Sequence, residues 1–143
     1  GRGDHSLLKI DNKKINLIDQ SYNSNPLSLK SAIKNFDKIK SKKSNKYLLI
    51  GDMLELGSHS KKLHQSIAPI INQTKIDKVF VKGKMASIIF AGISNAKKGG
   101  ILLNKSEIIE LIRKDLNNND YLMIKASLAT GFNDIVKDLK GSY

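Results

Sequence analysis

The chain has 143 residues, 40% of them apolar, with 25 basic against 13 acidic side chains, three histidines and no cysteine. That is enough for one domain with a real core, and no apolar run approaches the roughly 20 residues that a membrane-spanning helix needs. Without cysteine there are no disulfides or thiolate ligands, and His5, His59 and His64 lack a metal-binding spacing, so the expectation is a cytoplasmic protein with no metal of its own. A formal charge of +12 raises the prospect of a nucleic-acid partner. Against it, Arg2 and Arg113 are the only arginines, whereas phosphate and base recognition favours the bidentate guanidinium. Lys38, Lys40, Lys42 and Lys43 read as solvated positions, and Lys, Ile and Asn share A/T-rich codons, so the excess is read as surface charge. The opening Gly1-Arg2-Gly3 lacks a methionine and reads as the middle of a polypeptide, which suggests a fragment or an excised domain.

Apolar runs at 7–10 and 15–18 flank an Asp/Asn turn and predict a hairpin. Pro26, suited to a first helical turn, opens a helix expected to reach about residue 39, with Leu27, Ile33 and Phe36 at helical spacing. A polar connection leads to a short buried strand at 47–50 ended by Gly51. The next helix is expected over 60–72, kinked or shortened by Pro69, and His64 on it reads as a surface or structural residue. A strand at 77–81, a short helix at 85–91 and a strand at 101–103 introduced by Gly99-Gly100 follow. Asn104, with Glu107 three residues on, fits a capping arrangement for a helix through Leu116. A last strand at 121–124 and a helix at 132–139 close the chain. Strands alternating with helices predict an α/β layered fold with a mainly parallel sheet, flanked by helices and entered by an N-terminal hairpin.

In open α/β sheets, sites form beyond the carboxyl ends of the strands, and two segments there carry polar groups. Asp19 ends its strand with a carboxylate that can reach a ribose or orient a basic group, or can simply form an Asx-turn. Tyr22, Asn23 and Asn25 can line an adenine or ribose pocket, although turns favour Asn in any case. Asp52 and Glu55, three positions apart beyond the next strand, can bind an ammonium group or cap the following segment.

The segments Asp19-Gln20-Ser21-Tyr22-Asn23-Ser24-Asn25-Pro26 and Gly51-Asp52-Met53-Leu54-Glu55-Leu56-Gly57 together resemble the C-terminal domain of the Mur ligases. Members that add D-alanyl-D-alanine typically read D-[DE]-S-Y-N-A-N-P and G-D-M-x-E-L-G in this order, whereas a D-Y-A-H-T-P type segment marks those that add the third residue. The resemblance implies a Rossmann-like domain over residues 1–143, the third of three in an ATP-dependent amide-forming ligase. It implies that Arg2, at the junction with a central domain, joins Asp19, Tyr22, Asn23 and Asn25 around ATP. Asp52, Glu55, Lys125 and Ser127 would serve D-alanyl-D-alanine or the closed interdomain interface. Lys125-Ala126-Ser127 stands where relatives usually show Lys-Gly-Ser, and its amides and hydroxyl would receive a carboxylate. Gln20, Ser24 and Ala126 depart from the family pattern, and a positive φ at Ala126 would be strained by about 1 kcal/mol. No G-x-x-G-K-[ST] loop occurs, so ATP, Mg and UDP-N-acetylmuramoyl-tripeptide are expected to be held mainly by the central and N-terminal domains, and this chain alone is not expected to turn over ATP. Neither nucleic acid nor membrane insertion is expected. The alternative is a free-standing Rossmann-like nucleotide-binding or regulatory module.

Overall fold

The computed structural model describes residues 4–142. Two antiparallel strands, β1 (Asp4–Ile10) and β2 (Lys13–Gln20), open the fold, with Ile10 paired to Lys13 across a two-residue turn. Asp11 (φ 48) and Asn12 (φ 67) both lie in the left-handed region, as a turn matched to strand twist requires, and Asp and Asn tolerate it. The remaining strands, β3 (Lys46–Gly51), β4 (Lys78–Lys82), β5 (Lys98–Ile101) and β6 (Tyr121–Lys125), run parallel to β2 in a six-stranded sheet of order β1-β2-β6-β3-β4-β5. The expected architecture is therefore present. Its consequence for function is that β6 sits between β2 and β3, so the segments leaving all three strands meet at one carboxyl edge.

Helices cover both faces, because alternate residues of a strand point to opposite sides. Leu48, Ile50, Val79 and Val81 pack under α1 (Pro26–Asp37), α3 (Ala68–Asn72) and α4 (Ala86–Ala91), and α2 (Ser60–Gln65), which buries His64, lies against α4. Tyr47, Leu49, Phe80 and Ile124 pack under α5 (Lys105–Lys114) and α6 (Phe132–Ser142). Each large side chain so buried stabilises the fold by about 1.5–3 kcal/mol. Among the described residues no helix is long and apolar enough to cross a membrane, and no group of three His, Asp or Glu could hold a metal.

Three elements differ from expectation. The helix expected over 60–72 is two helices, with Pro69 in the first turn of the second. Proline has no N–H to continue the first helix, but it fits the opening turn of a new one. Strand β5 contains Gly99 and Gly100 instead of following them. A Cβ at Gly99 would lie 2.4 Å from the Phe80 ring, so Gly99 is needed for close approach, whereas a Cβ at Gly100 would be in ordinary contact with it. Finally, α1 stops at Asp37 and starts with a capping box not expected there, in which Asn25 and Ser28 each accept from the other's backbone N–H. The Asn104 cap is as expected in accepting from Glu107 N, but the Glu107 carboxylate accepts from Leu103 N.

Lys38, Lys40, Lys42 and Lys43 are exposed, as expected. Other lysines act inside the fold: Lys13 Nζ donates to the Ile112, Arg113 and Leu116 carbonyls at the end of α5, and Lys46 Nζ donates to Asp37 O at the end of α1. Both place a cation at the negative end of a helix dipole.

At the carboxyl end of β3, a Cβ on Gly51 would come within 2.5 Å of the Phe132 ring and 2.7 Å of Ala126 Cβ. Both neighbours are buried, so Gly51→Ala is expected to destabilise the protein by about 1–3 kcal/mol in denaturant unfolding. A change within 0.5 kcal/mol would show that this contact can relax.

Candidate functional site

The carboxyl edge holds a cavity of about 500 Å³ lined by Tyr22–Asn25 from the β2 exit, Leu54–Leu56 from the β3 exit and Ser127–Ala129 from the β6 exit. Of the residues singled out in the sequence, Tyr22, Asn23, Asn25, Glu55 and Ser127 meet here. Asp19, Asp52 and Lys125 lie beside or behind the lining, and Arg2 lies outside the described residues. A larger cleft of about 620 Å³ is bordered by Lys61, Gln65, Pro69, Ser87, Ile88 and Ala91, among others. Lys61 is the one charged residue of its lining, so we place the site at the smaller cavity, where acid, amide and phenol groups converge.

Asp19 forms the Asx-turn that the sequence allowed and has one basic side chain near it. Its Oδ1 accepts from Ser21 N at 2.9 Å and Ser21 Oγ at 2.5 Å, an Asx-turn, while Oδ2 lies 3.8 Å from Lys140 Nζ. Asn25 uses its Oδ1 to cap α1, which leaves its amide NH₂ as the group available to a ligand. Asp52 also has a capping task, since its Oδ1 accepts from Ala86 N at 2.7 Å in the first turn of α4. Glu55 is different. It is exposed, has no hydrogen bond or ion pair among the described residues and adopts φ 62, a left-handed conformation that costs a non-glycine residue about 1–2 kcal/mol. Strain of this kind persists only where its surroundings enforce it.

The enforcement comes largely from Ser127. Its hydroxyl donates to Ser24 O at 3.1 Å and accepts from Leu54 N at 3.0 Å, while its own N–H donates to Asp52 O at 3.3 Å. The hydroxyl proton expected to meet a ligand carboxylate is thus committed to holding the three exits together. Ala126 is not among the residues with positive φ, and its buried Cβ faces Gly51, so the strain expected from replacing glycine there does not arise. Ser24, also unusual at its position, is 3% exposed, and its Oγ has no hydrogen-bond partner among the described residues.

Lys125 is 2% exposed and donates to the Asn23 carbonyl and, at 3.4 Å, to Gln20 Oε1. No carboxylate lies within 4.0 Å of it among the described residues, so a buried ammonium with two neutral acceptors sits behind the Asn23 wall of the cavity. Its burial follows from topology: the last position of a central parallel strand is covered on both faces, and a lysine there cannot reach water freely. That was the available signal in the sequence, had the order of strands been known.

Burial pushes the Lys125 ammonium below its ordinary 10.5. The unfolded chain therefore binds more protons than the folded one between the folded value and 10.5, and stability rises with pH across that interval. Tyr47, raised above 10.0 by burial and then by Asp120, Asp115 and Asp77, acts oppositely above that pH. Lys125→Met retains Tyr47, so the difference in unfolding free energy between the native protein and this variant should move in favour of the native protein as pH approaches 10.5. A difference that stays flat would show that the ammonium is solvated.

Residues 7–128 match the family described as Mur ligase, glutamate ligase domain. The chain is 31% identical over 136 residues to the UDP-N-acetylmuramoyl-tripeptide–D-alanyl-D-alanine ligase of Bacillus subtilis, covering 93% of this chain and 29% of that protein. It is 35% identical over 125 residues to the same-named ligase of Buchnera aphidicola from Acyrthosiphon pisum, covering 86% and 26%. Its fold is similar to the MurF ligase of Thermotoga maritima in complex with ADP (TM-score 0.73, 21% identity, 88% of this chain and 28% of that one). A MurF crystal structure from Acinetobacter baumannii is similar to the same degree (TM-score 0.74, 23% identity, 94% and 30%). The chain thus spans well under a third of the length of these curated relatives.

Proposed function

The chain belongs to the Mur ligase family, matching its glutamate ligase domain, and from this premise we propose that it is the C-terminal domain of an ATP-dependent ligase that joins D-alanyl-D-alanine to UDP-N-acetylmuramoyl-tripeptide. On this reading the enzyme acts in the cytoplasm, in the synthesis of peptidoglycan precursors. A central domain holds the triphosphate with Mg, and an N-terminal domain holds the UDP-sugar.

The reaction transfers the γ-phosphoryl group of ATP to the terminal carboxylate of the tripeptide, giving ADP and an acyl phosphate. The dipeptide amine then adds to the acyl carbon, loses a proton, and phosphate leaves with its bonding electrons as the amide forms. This domain's part is to present the amine and complete the nucleotide site on closure. Asp19, Tyr22, Asn23 and Asn25, with Arg2, face ATP in this assignment, while Glu55, Asp52, Lys125 and Ser127 serve the dipeptide or the closed interface.

The charge distribution of the cavity is the observation that carries the reading. Glu55 offers a carboxylate on one wall, while the other wall has Lys125 behind it and the N-terminus of the 12-residue α1 beside it. A small zwitterion of dipeptide size matches that polarity, with its ammonium toward Glu55 and its carboxylate toward Asn23. Leu27, Leu54 and Leu128, exposed around the same edge, give an apolar rim suited to burial when the domains close.

The test is the complete polypeptide incubated with UDP-N-acetylmuramoyl-tripeptide, D-alanyl-D-alanine, ATP and Mg. Pentapeptide formation coupled to phosphate release is expected, and nucleotide binding without either product would sink the proposal. In that enzyme Glu55→Gln should raise the KM for D-alanyl-D-alanine by about tenfold with the KM for ATP within about twofold. Glu55→Gly should leave the unfolding midpoint unchanged or higher, because glycine accepts the left-handed conformation, while weakening dipeptide use at least as much.

A further inference from the structure

His64 is fully buried in α2, and neither nitrogen of its ring is left to chemistry. Nδ1 lies 2.8 Å from the Ser60 carbonyl, which can only accept, so this nitrogen carries the proton. Ser60 Oγ is also near, at 3.3 Å. The tautomer so set leaves a lone pair on Nε2, which accepts from Met53 N at 3.1 Å. The next amide along, Leu54 N, is held by Ser127 Oγ at 3.0 Å. Two consecutive backbone N–H groups are therefore held by side chains from two different elements, immediately before the strained Glu55. Between them Met53 is 1% exposed and anchors the same turn in the core.

We infer that His64 is a positioning residue that orients Glu55 for the amine substrate by fixing the Met53 amide. The inference rests on the assignment of the dipeptide amine to Glu55. Nothing in the local backbone would otherwise favour φ 62 at a glutamate, since a β or helical conformation is lower in energy for this residue. Ser127 alone fixes one amide, about which the turn can still pivot. The second anchor, from α2, removes that freedom, and because His64 is itself fully buried with Nδ1 held by the Ser60 carbonyl, the carboxylate's direction is tied to the body of the domain. His64 does not touch the cavity, whose lining from this part of the chain is Leu54, Glu55 and Leu56, so its effect on substrate passes through the loop alone.

The test uses the complete polypeptide and two readouts. His64→Phe keeps the ring's bulk but has no acceptor, whereas His64→Gln can place Oε1 near the Nε2 position and accept the Met53 N–H. In His64→Phe, amide exchange in a peptide spanning 51–58 should accelerate by about tenfold or more while exchange in α5 is unchanged, and the KM for D-alanyl-D-alanine should rise with the KM for ATP held. His64→Gln should restore both toward the native values. Unchanged exchange at 51–58 overturns the inference whatever the assay gives, as does a uniform loss of kcat with accelerated exchange throughout the domain. Accelerated exchange confined to 51–58 with an unchanged dipeptide KM would uphold the positioning of the loop and instead overturn the placement of the amine at Glu55. Should His64→Phe not fold, His64→Asn, which replaces only Nδ1, takes its place against His64→Gln with the same expectations.

Discussion

The Ser127 hydroxyl, donating to Ser24 O and accepting from Leu54 N, is the interaction on which the carboxyl edge depends. Three chain segments leave neighbouring parallel strands there, and without a bond between them each would be a separate loop with its own freedom. A single hydroxyl, 9% exposed, can serve all three because it is donor and acceptor at once, and its own backbone N–H adds the contact to Asp52 O. Removing it would leave a part-buried amide unsatisfied, which typically costs about 1–3 kcal/mol and falls on the geometry of the site before it falls on the core. Such a role is compatible with a place in the lining. The residue shapes the cavity by holding its walls, and the segments that line the cavity are those it holds.

The electrostatics of the fold follow a similar economy. A chain with so few arginines uses lysine to close the carbonyl ends of helices, at Lys13 and Lys46, where a flexible stem and a compact ammonium with several donors suit divergent oxygens. Lys125 belongs with these in form, since it too donates to a backbone carbonyl, but it differs in place. It stands at the carboxyl edge of the sheet rather than at the end of a helix that a cap would stabilise, with Gln20 and not an acid beside it. An ammonium buried without a carboxylate is costly to keep, and the positive charge of Lys125 lies behind the Asn23 wall of the cavity. Glu55 bears the matching cost on the opposite wall, in backbone strain.

Most of the architecture was legible in the amino-acid order because it rests on local signals. Apolar runs gave the strands, Pro26 marked the first turn of α1, and Asp11-Asn12 marked the hairpin turn. The misreadings share one cause. Gly99-Gly100 looked like a boundary because glycine usually is one, and only the Phe80 ring from the neighbouring strand explains Gly99 within β5. Ala126 looked strained because a glycine is usual there, yet its backbone is ordinary and the glycine that close packing demands is Gly51 on the next strand. Both positions depend on a strand distant in sequence.

The sequence by itself determined which groups were available at the carboxyl edge, since hydrogen-bonding side chains clustered just after apolar runs are visible without coordinates. For the groups engaged by distant segments, what each is occupied with was decided only by tertiary structure. Asp52 is engaged by an amide of α4, Ser127 by the exits of two other strands, and His64 by a turn that begins more than ten residues before it. A hydrogen bond fixes a short distance between two atoms, and chain order says nothing about which distant atoms come that close. It is the placement of β6 between β2 and β3 that brings them together.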